Sequence, residues 1–337
     1  MKSLKVLIYS SHFYPSVGGM EIVAETLAKR FHEAGCEVVV ATDTPATGSE
    51  RLEIPVVREP SFWQFLKLCR RSDVVFLSPV SLRRIVPPLL SGRPIVVKHP
   101  NPLTGHRGQT RFRDRLKLLL CRRFTNIVAG DYMAGFFPSP VVIPNPYDDS
   151  LFYDDGQPKT GDLLFVGRLD AVKGADVLIR AIKGVEPELP TLTATIVGNG
   201  PEREHLKVLT NELGLSSRVN FTGELIGDAL AMQMRRHRVM VVPSTYNEPF
   251  GNVALQGLAS GCLLIVSRKG GLADATGPHS LTFENGDALS LSQGLKEAFF
   301  EPGLRDHLLN GVSVHLERHH EGIVAQRYLE LLHKVSH

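Results

Sequence analysis

Cysteine is scarce in this 337-residue chain, and the four present, Cys36, Cys69, Cys121 and Cys262, are widely scattered. There is no CxxC pair and no cysteine–histidine cluster at metal-ligand spacing, so a disulfide scaffold and a zinc ribbon are both excluded and a reducing cytoplasm is the expected setting. Long hydrophobic runs are missing as well. No stretch approaches the roughly 18 apolar residues that a membrane span needs. The opening MKSLKVLIYSSHFYPS has a short apolar run, but Tyr, Ser and His interrupt it and no small-residue cleavage site follows, so it predicts a buried strand rather than a signal peptide. Repeats of solenoid length are absent too. Acidic residues are scarce in one region: between positions 58 and 123 only Glu59, Asp73 and Asp114 stand against 15 lysines and arginines.

What is present is an ordinary globular composition, 43% apolar and 22% charged, with 30 glycines and 22 prolines. The length suffices for two domains with separate cores. Net charge is +3 overall, and the basic excess sits in the first half, where it favours an anionic partner.

The chain begins KVLIYSS, a loop HFYPSVGG, a helical pattern from Met20 to Ala34, a Gly35 stop and EVVVAT, which is one βαβ unit. Short β-like runs recur at 73–78, 94–99, 126–130 and 141–144. A turn-rich acidic stretch follows, and the alternation then restarts at DLLFVG and continues through LTATIVG, RVNFTG, RVMVVPS and LLIVS. This pattern predicts two Rossmann-like α/β domains in tandem, with ligands at the carboxyl ends of parallel strands. The predicted limits are 1–146 for an N-terminal domain, 147–161 for a linker and 162–321 for a C-terminal domain. A last helix, about 322–337, fits on either domain, packing back on the first included.

Several loops at strand ends carry suitable chemistry. Gly18 and Gly19 open a helix whose free N–H groups and dipole favour an anion, although for a lone glycine pair a plain tight turn is the commoner explanation. In 166-VGRLDAVKG-174, Gly167 precedes Arg168 and Lys173, a guanidinium and an ammonium suited to a diphosphate whose charge rises as its ester bond breaks. The turn 197-VGNGP-201, with Gly198, Asn199 and Gly200, either admits a ligand to the backbone or is structural. Last comes 248-EPFGNVALQGLASG-261, which sets Glu248 eight positions before Gln256.

Taken in order, YPSVGGMEIVAETLAKRFHEAGCEVVVAT, VVIPNPYDDSLF, VGRLDAVKG, IVGNGPEREHL, VNFTGEL, VVPSTYNEPFGNVALQGLASG and SRKGGLAD resemble the retaining nucleotide-sugar glycosyltransferases of family 4, nearly end to end. The resemblance implies a GT-B fold, two Rossmann-like domains with an interdomain cleft, the first the acceptor domain and the second the donor domain. It also implies a nucleoside diphosphate sugar as donor, UDP first and GDP second, and no metal or other cofactor. By the same analogy Gly19 lies beside the donor diphosphate, Arg168 and Lys173 neutralise that diphosphate, and Glu248 binds donor-sugar hydroxyls. The N–H groups of Phe250, Gly251 and Asn252 help hold sugar and phosphate, while His99 meets the transferred sugar or the acceptor. The implied reaction keeps anomeric configuration and serves surface polysaccharide, lipopolysaccharide or glycolipid synthesis.

The chain departs from the family pattern at Gln256, where a second glutamate is usual and accepts from both ribose hydroxyls. An amide still pairs with a diol, at a cost of about 1 kcal/mol in exchanging a charge-assisted bond for a neutral one. Pro146 and Cys36 also differ from the usual residues. In 107-RGQTRFRDRLKLLLCRRF-124, Phe112, Leu116, Leu119, Leu120 and Phe124 fall near helical spacing among seven basic residues. This pattern fits either a helix lying on an anionic membrane, with a glycan or lipid-linked acceptor nearby, or a domain helix with solvated charges. Nucleic acid is excluded as a partner because no stacking aromatics accompany the charge. The preferred setting is cytoplasmic, peripheral on the inner face of the membrane. Two other functions compete: a nucleotide-sugar binder without transfer activity, and a nicotinamide-dependent oxidoreductase. The second needs GxGxxG after the first strand, which is not there.

Overall fold

A computed structural model describes residues 3–15, 18–46, 53–103 and 112–336. The chain divides into two compact units, one comprising residues 1–146 with 318–337 and the other residues 147–317.

In unit 1 the elements are β1 (Lys5–Ser10), α1 (Gly19–Glu33), β2 (Glu37–Thr42), β3 (Val56–Arg58), α2 (Phe62–Arg71), β4 (Val74–Ser78), α3 (Val86–Ser91), β5 (Ile95–Lys98), α4 (Phe112–Cys121), β6 (Thr125–Val128), α5 (Asp131–Ala134) and β7 (Val141–Val142). The strands form one parallel sheet of order β3-β2-β1-β4-β5-β6-β7. Its strands are short, almost wholly apolar runs because helices cover both faces. Alternation along each strand sorts the side chains. Val6, Ile8, Val74 and Phe76 face α1, whereas Leu7, Tyr9, Val75 and Leu77 face the layer of α2, α3 and α4. A capping box at Ser61 and Gln64 starts α2, each side chain bonding the other's backbone N–H.

Unit 2 holds β8 (Gly161–Val166), α6 (Ala175–Gly184), β9 (Ala194–Val197), α7 (Arg203–Glu212), β10 (Val219–Gly223), α8 (Gly227–Arg236), β11 (His237–Val242), α9 (Asn252–Ala259), β12 (Leu263–Ser267), α10 (Leu272–Thr276), β13 (Ser280–Phe283), α11 (Ala288–Phe300), α12 (Leu304–Leu309) and α13 (Val312–Glu317). Its parallel sheet runs β10-β9-β8-β11-β12-β13. Helices α6, α7 and α11 cover one face through Leu178, Leu206 and Leu291. In both sheets the order reverses beside the first strand of the unit, between β1 and β4 in one and between β8 and β11 in the other. In open α/β sheets the crevice at such a reversal is where ligands bind.

The last helix, α14 (Glu321–Ser336), belongs to unit 1 and packs on α1. Val324, Tyr328 and Leu332 are fully buried there, worth about 1.5–3 kcal/mol apiece. The stretch read as a linker is itself tied down on unit 2. Phe152 is buried, Arg235 donates to the Leu151 carbonyl and Lys159 to that of Ser260.

Candidate active site

The reversal in the unit 2 sheet brings two loops together. The loop after β8 carries Arg168 and a single 3-10 turn ending at Lys173, while the loop after β11 runs from Pro243 to Gly251 and starts α9. Backbone bonds clamp them: the Thr245 N–H donates to Val172, and the Gly271 N–H, from the loop after β12, donates to Glu248. Close approach explains two of the glycines. A side chain at Gly198 would lie 1.9 Å from the Gly167 carbonyl oxygen, and Gly251, at φ 103°, holds a left-handed conformation against Leu272. Gly198 therefore fits one loop against the next.

Four side chains converge at the seam. Glu248 is only 6% exposed. Its Oε1 accepts from the Lys173 Nζ at 2.6 Å and from the Ser244 hydroxyl at 2.7 Å, and its Oε2 accepts from the Tyr246 hydroxyl at 2.5 Å. The Lys173 ammonium also lies 3.2 Å from the Tyr246 oxygen and over its ring. Burial, and then the Glu248 charge, push the Tyr246 phenol well above its ordinary range, so it stays protonated and donates. A carboxylate removed from water is tolerable only with this degree of pairing. Ser244 and Tyr246 were absent from the residues predicted, yet their signal is in STYNE: positions 244, 246 and 248 alternate with a period of two, which sets side chains on one side of a non-helical segment.

The other predicted residues are placed as follows. Arg168 stays outside the cluster, its side chain 71% exposed and paired to Asp170 at 2.9 Å. Phe250 is buried and Gly251 caps α9, which starts at Asn252. Gln256 lies one turn further along, half-buried. Asn199 is in the turn after β9, where its side chain accepts from the Gly200 N–H.

In unit 1, Gly18 caps α1 and Gly19 opens it, with the Glu21 carboxylate in the space where a side chain on Gly18 would sit. His99 follows β5 and is sealed rather than presented. It is 1% exposed, stacks on Phe137 with ring centroids 3.7 Å apart, and bonds Asn126 Oδ1 through Nε2 at 2.9 Å. Burial pulls its imidazole down to about 4 and keeps it neutral. Asn126 and Phe137 thus hold the imidazole in place. Asp43, which follows β2, is occupied by Arg84 and Tyr9.

Comparison with known proteins places these features. Residues 155–310 match the family model for glycosyl transferases group 1. The match lies wholly within unit 2. An uncharacterized glycosyltransferase of Methanocaldococcus jannaschii is 35% identical over 153 residues, 44% of this chain and 38% of that protein. The lipopolysaccharide core biosynthesis glycosyltransferase LpsD of Rhizobium meliloti is 36% identical over 169 residues, 49% of this chain and 47% of its own. The chain thus spans less than half the length of these curated relatives. Anabaena HepE, solved in complex with UDP and glucose, superposes with a TM-score of 0.83 at 19% identity, covering 98% of this chain and 100% of its own. Two Rossmann-like units and this likeness establish the GT-B fold.

Proposed function

We propose that the protein is a glycosyltransferase that moves a sugar from a nucleoside diphosphate to an acceptor hydroxyl with retained configuration. The observation that carries this reading is the Lys173–Glu248 pair at the β8/β11 reversal, embedded in the region that matches group 1 glycosyl transferases. Glu248 is a preorganised acceptor for sugar hydroxyls, its orientation fixed by Ser244 and Tyr246. When a diphosphate departs, negative charge builds on its oxygens, and Lys173 with the exposed Arg168 supplies fixed and mobile positive charge against it. In this reading those cations replace a metal ion, and the acceptor proton leaves with the phosphate, so no strong side-chain base is needed. A UDP-sugar is the first choice of donor because the Anabaena relative holds UDP and glucose, and a GDP-sugar is the second. The part the Rhizobium relative plays in lipopolysaccharide core biosynthesis favours a lipopolysaccharide or similar glycan acceptor.

A membrane setting for that acceptor is favoured by α4. Of the segment 107–124, residues 107–111 lie outside the described structure. The rest exposes Phe112, Leu116 and Leu119 on one side of the helix, although Leu120 and Phe124 pack inward. This supports a peripheral, cytoplasmic-face location. Among the described residues no helix is long and apolar enough to cross a membrane.

The test is a thermal-shift screen of UDP-, GDP- and ADP-sugars, followed by measurement of nucleotide release and of product anomeric configuration. Stabilisation by one donor and a product of retained configuration are the expected results. Absence of stabilisation by every donor at millimolar concentration would defeat the reading, and activity that EDTA abolishes and a divalent ion restores would defeat its metal-free part.

A further inference from the structure

Helices α2 and α3 lie side by side on the same sheet face as α4. Their first turns are joined by Arg84, which donates to the Pro60 carbonyl, and their ends by Arg93, which donates to that of Arg70. Inward, Phe65 and Cys69 of α2 fill the core under the sheet. Outward, the pair exposes Phe62, Trp63, Val86, Leu89 and Leu90. Of the 19 large apolar side chains exposed among the described residues, five fall on these two short helices, so the exposure is concentrated rather than scattered.

Cations outnumber anions around this patch. Lys67, Arg70 and Arg71 are exposed on α2, and neither α2 nor α3 contains an acid. Two carboxylates flank α2 in sequence: Glu59, exposed just before it, and Asp73, which accepts the Lys5 N–H at the start of β1. An apolar centre with an excess of cations matches an anionic lipid surface, which takes apolar side chains at the acyl boundary and attracts lysine and arginine at the headgroups. It matches a second copy poorly, because a two-fold dimer would set the same cations face to face. Trp63, at the first turn of α2 and 75% exposed, has the amphipathic ring that favours the membrane–water boundary.

We infer that α2 and α3 form a docking surface for an anionic bilayer, anchored by Trp63 and separate from the stripe on α4. The inference extends the peripheral placement proposed above from α4 to two further helices and does not depend on catalysis.

Trp63 is the single tryptophan of the chain, so intrinsic fluorescence reports on this surface alone. The experiment mixes the full-length protein with vesicles of equal parts phosphatidylglycerol and phosphatidylcholine, or of phosphatidylcholine only. Emission, acrylamide quenching and co-sedimentation are followed together. A blue shift and protection from quenching with the anionic vesicles, and neither with the neutral ones, is the expected result. Replacing Lys67, Arg70 and Arg71 together by serine should weaken that binding roughly a hundredfold at low salt, with an unchanged circular dichroism spectrum. Co-sedimentation with unchanged Trp63 emission would overturn the inference while leaving the α4 placement standing. No co-sedimentation would end both. A blue shift that grows with protein concentration in the absence of lipid would assign the face to a second copy instead.

Discussion

Glu248 and His99 each lie beyond the carboxyl end of a parallel strand, one in each unit, and both are buried, yet their surroundings differ in kind. Glu248 stands at the sheet reversal with a cation and two hydroxyls on its oxygens. His99 stands one strand beyond the reversal of its own sheet, under the ring of Phe137 and bonded to Asn126. Burial alone therefore does not mark a site. What separates the two is whether neighbouring loops bring a compensating charge and hydroxyl donors, as they do at Glu248 and do not at His99.

The largest test of that contrast is Glu248→Ala. Removing the carboxylate takes away the acceptor that the proposed function assigns to sugar hydroxyls and leaves Lys173 and Tyr246 without their common partner. Loss of one preorganised group at a reacting centre typically costs a factor of about 10²–10³ in turnover. A fall of that order in kcat for nucleotide release is expected, together with a lower melting temperature from the unpaired ammonium. Turnover that survives the substitution would remove Glu248 from the site and erase the distinction drawn here.

His99→Leu probes the other side. The variant should lose about 1–3 kcal/mol of stability, since Asn126 Oδ1 is left without its donor, and should keep its kcat. The acid limb sharpens the test. An unfolded histidine titrates near 6.5, whereas this one is held down at about 4. Between those values the unfolded chain binds a proton that the native protein refuses, so His99 withdraws stability as pH falls from about 6.5 towards 4. The leucine variant lacks that liability, and the difference between its denaturation midpoint and the wild type's should shrink across the window. A kcat that drops while the melting temperature holds would return His99 to the chemistry.

The legible parts of the chain were those with strong local constraints. Runs such as KVLIYS and LLIVS are strands because both faces are covered, and the glycine-bearing loops mark where the backbones meet. The edge strands β3, only Val56–Arg58, and β13, Ser280–Phe283, gave no comparable signal, being short and partly exposed. The same holds for sites. Glu248 and Lys173 are 75 positions apart, but each sits in a loop whose composition betrays it. The sealing of His99 depends on Phe137 and Asn126, and no spacing rule brings these residues to it. The solvent-facing side of α2 and α3 was equally hidden, because a short helix with apolar residues on two sides reads simply as buried.

The smallest expected effect lies at the far end of α9. Gln256 is half-buried, one turn beyond Asn252 on the helix that starts beside Glu248. The family resemblance sets position 256 against the ribose of the nucleotide rather than the sugar. An amide offers a ribose diol one carbonyl to accept and one NH₂ to donate, whereas a carboxylate accepts from both hydroxyls with charge assistance. Gln256→Glu should therefore tighten ground-state donor binding by about 1 kcal/mol, seen as a donor KM lower by roughly five- to tenfold at unchanged kcat. The ribose is bound equally before and during transfer, so this energy does not lower the barrier. A kcat that rises or falls in step with KM would show that position 256 acts at the reacting centre, and the division between a sugar end at Glu248 and a nucleotide end at Gln256 would no longer hold.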